Sequence, residues 1–153
     1  MVPLTGRFVN NKALHRQIMK SLLLILFLPF SNAHISYRQL SWEDFKGSPP
    51  PNTEASACTC TNIVIGVDTA YAIFIPDRSW TKTNDPEVLR HEQLHFAITQ
   101  FCSFIITKQL KSLNKDIDVH LRMWRRLENS YDKETNHGQD TIAQRRWEQS
   151  IKL

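Results

Sequence analysis

The sequence predicts an α+β fold, in which short antiparallel strands within about residues 35–76 pack on a long helix and a second antiparallel helix. Side chains that are β-branched or aromatic dominate residues 55–76, as is typical of strands. After residue 84 the spacing of apolar residues changes to that of helices, which polar breaks then separate. A chain of 153 residues is long enough for one such domain and too short for two ordinary ones.

The strands are expected in the first half of the domain. Residues 34–46 alternate loosely between apolar and polar side chains, which predicts a short strand, and residues 47–52 form a polar, proline-containing connection. In the run from 55 to 76, residues 68–70 interrupt the apolar side chains, so we predict two antiparallel strands there. Pro76 ends the second of these strands.

A long helix is expected to begin at Pro86. Asp85 suits the N-cap, proline suits the first helical position, and Glu87 suits the first turn. No glycine or proline follows as far as residue 113, and apolar residues recur throughout, which predicts a largely buried helix.

Two further helices complete the prediction. Residues 114–116 form a break, and a second helix is expected over about 117–136. Its apolar stripe consists of Val119, Trp124, Leu127 and Tyr131. Gly138 suits a C-terminal stop, and a short third helix is expected over about 141–151.

Residues 1–33 have the pattern of a signal peptide. Lys20 precedes a short apolar run, and residues 31–33 place small side chains before a cleavage site after Ala33. The run is about half as long as a bilayer span requires, so residues 34–153 are expected to be exported, periplasmic or secreted, without a stable membrane span. Met19 is a candidate for the true start, and an N-terminal anchor that is never cut is the alternative.

The formal charge of +4 comes from this N-terminal segment. Four basic residues and no acidic residue precede residue 34: Arg7, Lys12, Arg16 and Lys20. Removing those four from the 19 Lys and Arg leaves 15, which equals the 15 Asp and Glu. A neutral domain has no general attraction to phosphate, so nucleic acid is not an expected partner.

Three cysteines leave two possibilities open. Cys58 and Cys60 share one face if they lie on a strand, and one of them can pair with Cys102 in an exported protein. The alternative is that all three are small buried apolar side chains.

The segment His91-Glu92-Gln93-Leu94-His95 has the H-E-x-x-H pattern and falls on the long predicted helix. Histidines four residues apart lie on one face, one turn apart, and can bind one zinc ion. Glu92 is rotated by about 100° from His91, where it can take a proton from a zinc-activated water. Two histidines satisfied by other partners on a helix face are the alternative.

A catalytic zinc requires a third protein ligand. The metzincin continuation is absent, because Ile98 and Phe101 stand where Gly and His are expected. If the helical hairpin turns near residue 114, Glu134 and His137 are level with the motif, whereas Glu128 lies about 10 Å along the axis. We therefore predict His137 as the third ligand and Glu134 as its alternative.

Two interpretations are open for His137 and for Tyr131. His137 can instead be a solvent-exposed histidine at a helix end. Tyr131 lies one turn before Glu134, where its hydroxyl can stabilise a tetrahedral oxyanion, and it can equally be a core aromatic.

The chain resembles a bacterial family of predicted secreted zinc-dependent proteases, catalogued as a domain of unknown function. The matching segments are residues 40–47, 79–80, 89–96 and 131–138, with Gln144 and Trp147, so that the resemblance covers about 38–151. It implies a zinc peptidase with His91, Glu92 and His95 in the usual roles, and it favours His137 as a further site residue. The family carries an acid where this chain has Ala97; if that acid orients an imidazole, metal affinity is weaker here.

We therefore expect an exported zinc metallopeptidase that hydrolyses peptide or protein substrates, with Glu92 as general base. A zinc-stabilised exported binding module without catalytic activity is the alternative, and a helical interaction protein without metal is a third possibility.

Overall fold

The computed structural model describes residues 37–112 and 116–151 and confirms the α+β class. Four strands are followed by three helices: β1 (Ala57–Cys58), β2 (Thr61–Ile65), β3 (Ala70–Phe74), β4 (Trp80–Thr81), α1 (Pro86–Leu110), α2 (Ile117–Thr135) and α3 (Thr141–Ile151). The predicted signal peptide at residues 1–33, with Met19, lies outside the described residues, and so do residues 114–115 of the predicted break.

The strands form two small antiparallel sheets. Strand β1 pairs with β4, and β2 pairs with β3 in the register that places Ile63 opposite Ala72. The two strands predicted within residues 55–76 are confirmed as β2 and β3. Their turn is closed by Gly66, whose backbone N donates to the Thr69 carbonyl at 2.8 Å.

The strand predicted over residues 34–46 is wrong in its described part, because residues 37–46 contain no strand. A single 3-10 turn forms at Trp42–Asp44, and the Ser41 backbone N donates to Asp44 Oδ2 at 2.8 Å at its start. The turn, and not strand alternation, brings the apolar side chains before and after it to the core.

Gln93 of the motif fastens this N-terminal segment to α1. Its Oε1 accepts from the Leu40 backbone N at 2.6 Å, and its Nε2 donates to the Arg38 carbonyl at 3.1 Å. Leu40 thereby joins a buried cluster with Phe45, Phe74 and Phe96. The middle residue of the H-E-x-x-H pattern therefore has a structural role in joining the segment to the helix.

The helices begin and end close to where the sequence predicts. Asp85 caps α1 by accepting from the Glu87 backbone N at 2.8 Å. Val119, which we predicted on the apolar stripe of α2 with Trp124, is 45% exposed, so that part of the prediction is wrong. It stands five residues before Trp124, and five steps of 100° turn it about 140° away from that face. Across residues 37–112 and 116–151, no helix is long and apolar enough to cross a membrane.

Candidate metal centre

His91 and His95 direct their Nε2 atoms at one carboxylate oxygen. Asp132 Oδ1 lies 3.3 Å from His91 Nε2 and 3.0 Å from His95 Nε2. The histidines stand one turn apart on α1, and the aspartate comes from α2, which packs antiparallel beside it. The three ligand atoms all lie within 4.8 Å of one another, which is a group that one metal ion can bind.

Each imidazole has a further partner on its other ring nitrogen. His95 Nδ1 lies 2.5 Å from Glu128 Oε2, and His91 Nδ1 lies 3.3 Å from Gln144 Oε1. An oxygen acceptor at Nδ1 favours the tautomer that leaves Nε2 for a metal. These partners come from α2 and α3, whereas Ala97 is fully buried on α1. Both imidazoles are thus oriented without an acid at position 97.

Glu128 is itself held in place by two donors. Its Oε1 accepts from Thr99 Oγ1 and from Trp124 Nε1, each at 3.1 Å. Thr99 is also 2.8 Å from the hydroxyl of Thr61, so the same network reaches strand β2. A carboxylate fixed in this way can hold the His95 ring in one orientation.

We expect Glu128→Gln to weaken zinc binding by about 10- to 100-fold, because it removes the anionic partner of His95 Nδ1. Isothermal titration with zinc would measure the change. The matched control is Glu87→Gln, an exposed carboxylate at the start of α1. Equal zinc affinity in the two variants would contradict the positioning role of Glu128.

The charges in the group are strongly coupled. Burial alone would lower the pKa of His95, but the hydrogen bonds that its ring donates to Asp132 and Glu128 outweigh that effect and raise the pKa to about 10. Burial alone would raise the pKa of Asp132, but its hydrogen bonds with His91 and His95 outweigh that effect and lower the pKa. Because metal ligands must be deprotonated, a metal that binds here displaces a proton.

Glu92 supplies a buried carboxylate beside this group. The residue is 5% exposed, and its Oε2 atom is buried without a hydrogen-bond partner among the described residues. A buried carboxylate oxygen in this condition is unfavourable unless something binds it. It is therefore the atom of the site that is available to accept a proton.

Strand β1 lies close to the same acids. Partial burial, followed by the negative charges of Glu92, Cys60 and Asp132, raises the pKa of the Cys58 thiol to about 11. Cys58, Cys60 and Cys102 are all free, and only Cys102 is buried. The disulfide that the sequence allowed is absent among these three described residues.

No protein-family model, curated protein or solved structure matches this chain. The resemblance to predicted secreted zinc-dependent proteases stays a prediction. The chemistry of the site is therefore inferred from its own geometry.

The structure assembles some of the predicted site residues and not others. His91 and His95 converge, but Asp132 stands where His137 or Glu134 was expected. Glu134 Oε2 accepts from Trp147 Nε1 at 3.0 Å, on the side of α3. His137 as third ligand, and Glu134 as its alternative, stay predictions that the described group does not include.

The register of the helical hairpin, which decides the residues of α1 and α2 that lie side by side, explains why Asp132 takes the expected place of His137 or Glu134. We placed Glu128 about 10 Å from the motif, yet it contacts His95, so that estimate is wrong. The register brings both Glu128 and Asp132 to His95, one helical turn apart. The sequence does contain a signal for them, because an acidic pair four residues apart on α2 matches the histidine pair on α1.

Tyr131 occupies the core position that we kept as its alternative. It is 0% exposed, and its ring stacks on His91 with the centroids 4.7 Å apart. Its hydroxyl donates to Gln144 Oε1 at 2.6 Å and lies 3.1 Å from the His91 carbonyl oxygen. The hydroxyl thus has internal acceptors, and the oxyanion role stays a prediction.

A turn in the left-handed region follows α2. Asn136, His137 and Gly138 have φ values of 48°, 54° and 82°, and the left-handed conformation costs about 1–2 kcal/mol for a residue other than glycine. A Cβ at Gly138 would stand 2.9 Å from Cγ of His91. The close approach of this turn to His91 therefore requires glycine.

Replacing Gly138 with alanine is expected to lower the free energy of unfolding by about 1–3 kcal/mol, since it adds both the positive-φ strain and the contact with His91. Urea denaturation would measure this. Lys133→Ala, at an exposed position of α2, serves as the control and should change the stability by less than about 0.5 kcal/mol. A Gly138→Ala protein as stable as the control would contradict the strain argument.

Proposed function

We propose that this protein is a zinc-dependent peptidase whose site consists of His91, His95, Asp132 and Glu92. The observation that carries the proposal is the convergence of two imidazole nitrogens and one carboxylate oxygen next to a buried, unpartnered carboxylate. Together with the H-E-x-x-H spacing, this arrangement supports hydrolysis in preference to metal storage or a purely structural site.

The donor set fits zinc. Imidazole nitrogens and a carboxylate oxygen are usual zinc ligands, and catalytic sites hold the ion with three protein ligands and keep one position open. The two Nδ1 atoms contact Glu128 and Gln144, and both Nε2 atoms point at Asp132 Oδ1, so a metal ion that binds between these three atoms would replace the present contacts. When bound, zinc supplies a Lewis acid that polarises a carbonyl and lowers the pKa of a water to about 7.

Glu92 would perform the proton transfers. Its unpartnered Oε2 accepts a proton from the attacking water and returns it to the amine that leaves. The rigid helix fixes this carboxylate next to His91 and His95, so its position does not depend on a flexible loop. Export of the protein, from the predicted signal peptide, is part of the same proposal.

The test is hydrolysis of unstructured protein and synthetic peptides by the purified protein, before and after removal of metal by a chelator. We expect cleavage that the chelator stops and stoichiometric zinc restores. A protein that binds about one zinc per chain and cleaves nothing would instead be a zinc-stabilised binding module.

A further inference from the structure

His137 lies on the solvent side of the proposed metal site. Its Nδ1 is 3.6 Å from Asp132 Oδ1, the same oxygen that His91 and His95 approach through Nε2. The His137 side chain is 75% exposed, whereas those of His91 and His95 are 7% and 13% exposed. The site therefore has a buried part and one accessible imidazole.

The backbone brings that imidazole to the site and leaves the ring free. His137 has a positive φ, and its backbone N donates to the Asp132 carbonyl at 2.9 Å. Gly138, the next residue, packs against the ring of His91. The main chain of this turn is thus fixed on both sides, while the exposed side chain can change rotamer without repacking the core.

We propose that His137 is a displaceable fourth ligand, which closes the metal site until a substrate takes its place. This inference rests on the proposed function. Zn–N bonds are about 2.0–2.1 Å, so two ligand atoms of one tetrahedral ion lie about 3.3–3.5 Å apart. The separation of 3.6 Å between His137 Nδ1 and Asp132 Oδ1 is close to that value. The group of ligand atoms within 4.8 Å of one another consists of His91, His95 and Asp132, so His137 would complete the site by a change of rotamer.

The difference in exposure decides which ligand leaves. His91 and His95 are largely buried and have partners on their Nδ1 atoms, and Asp132, whose side chain is 36% exposed, is held by its contacts with both Nε2 atoms. His137 has no such packing, because it lies on the turn between α2 and α3. Water or a substrate carbonyl oxygen can therefore replace His137 while the other three ligands stay in position, which opens the fourth position that the proposed hydrolysis requires.

The test compares His137→Gly with Asn136→Gly in the purified protein. Glycine suits the positive φ at both positions, so the two variants change the backbone alike and only the first removes the imidazole. For His137→Gly we expect the zinc Kd to rise roughly tenfold or more, while Asn136→Gly keeps the original Kd. In the cobalt-substituted protein, the visible absorption of a four-ligand site should weaken in His137→Gly and return when free imidazole is added.

Unchanged zinc affinity and an unchanged cobalt spectrum in His137→Gly would overturn the inference, even if hydrolysis fell, because His137 would then act on the substrate. An altered spectrum in a protein that cleaves no peptide would support the fourth ligand and defeat only the peptidase proposal. Failure of the unsubstituted protein to bind zinc or cobalt at all would overturn both.

Discussion

Replacement of Asp132 by asparagine should abolish zinc binding at micromolar metal. Asp132 Oδ1 is the atom that His91 Nε2 and His95 Nε2 share, and it is the anionic member of the ligand group. Loss of an outer partner of a ligand already costs about 10- to 100-fold in affinity, and loss of a ligand is expected to exceed that. Metal content after dialysis and titration with zinc would both report the change.

The matched control for Asp132 is Glu134→Gln. Glu134 is two residues away on α2, and its Oε2 accepts from Trp147 Nε1, a bond that glutamine can keep. Circular dichroism in zinc-free buffer would show that both variants are folded. If zinc binding survived in Asp132→Asn and were lost in Glu134→Gln, the third ligand would be Glu134, which the sequence predicts as the alternative.

Glu92→Gln should lower peptide hydrolysis by about 10²–10⁴-fold while zinc binding stays intact. The amide has the shape of the carboxylate and cannot take the proton from the water. Burial of Glu92 at 5% exposure means that no solvent base replaces it easily. The measurement is kcat/KM on a synthetic peptide, with the zinc content of the same preparation determined in parallel.

Glu87→Gln is the control for this experiment, because it changes an exposed carboxylate in the first turn of the same helix. Glu87→Gln should keep kcat/KM within about twofold of the value for the unsubstituted protein, as expected for an exposed position away from the proposed site. Full activity in Glu92→Gln would remove Glu92 from the mechanism. Loss of zinc in that variant would show that Glu92 supports the ligand group and is not simply a base.

Local signals in the sequence predicted the helices and the first two proposed ligands. The N-cap at Asp85 and the proline that follows it fixed the start of α1, and the structure confirms that start. Once that helix is established, a spacing of four places His91 and His95 on one face, whatever packs around them. The turn between β2 and β3 was also predictable, because a turn is determined by the three or four residues that form it.

The third proposed ligand and the partners that orient the imidazoles depended on how α2 and α3 pack against α1. One residue of error along a helix moves a side chain by 1.5 Å and turns it by 100°, so a small error in the hairpin register replaces Asp132 with a neighbour. The same contacts bring Glu128 to His95 and Gln144 to His91, across 33 and 53 residues of sequence. Helix formation and side-chain spacing are determined within a few residues and could be predicted from the sequence. The third proposed ligand depends on packing between distant segments, so only the tertiary structure decided it.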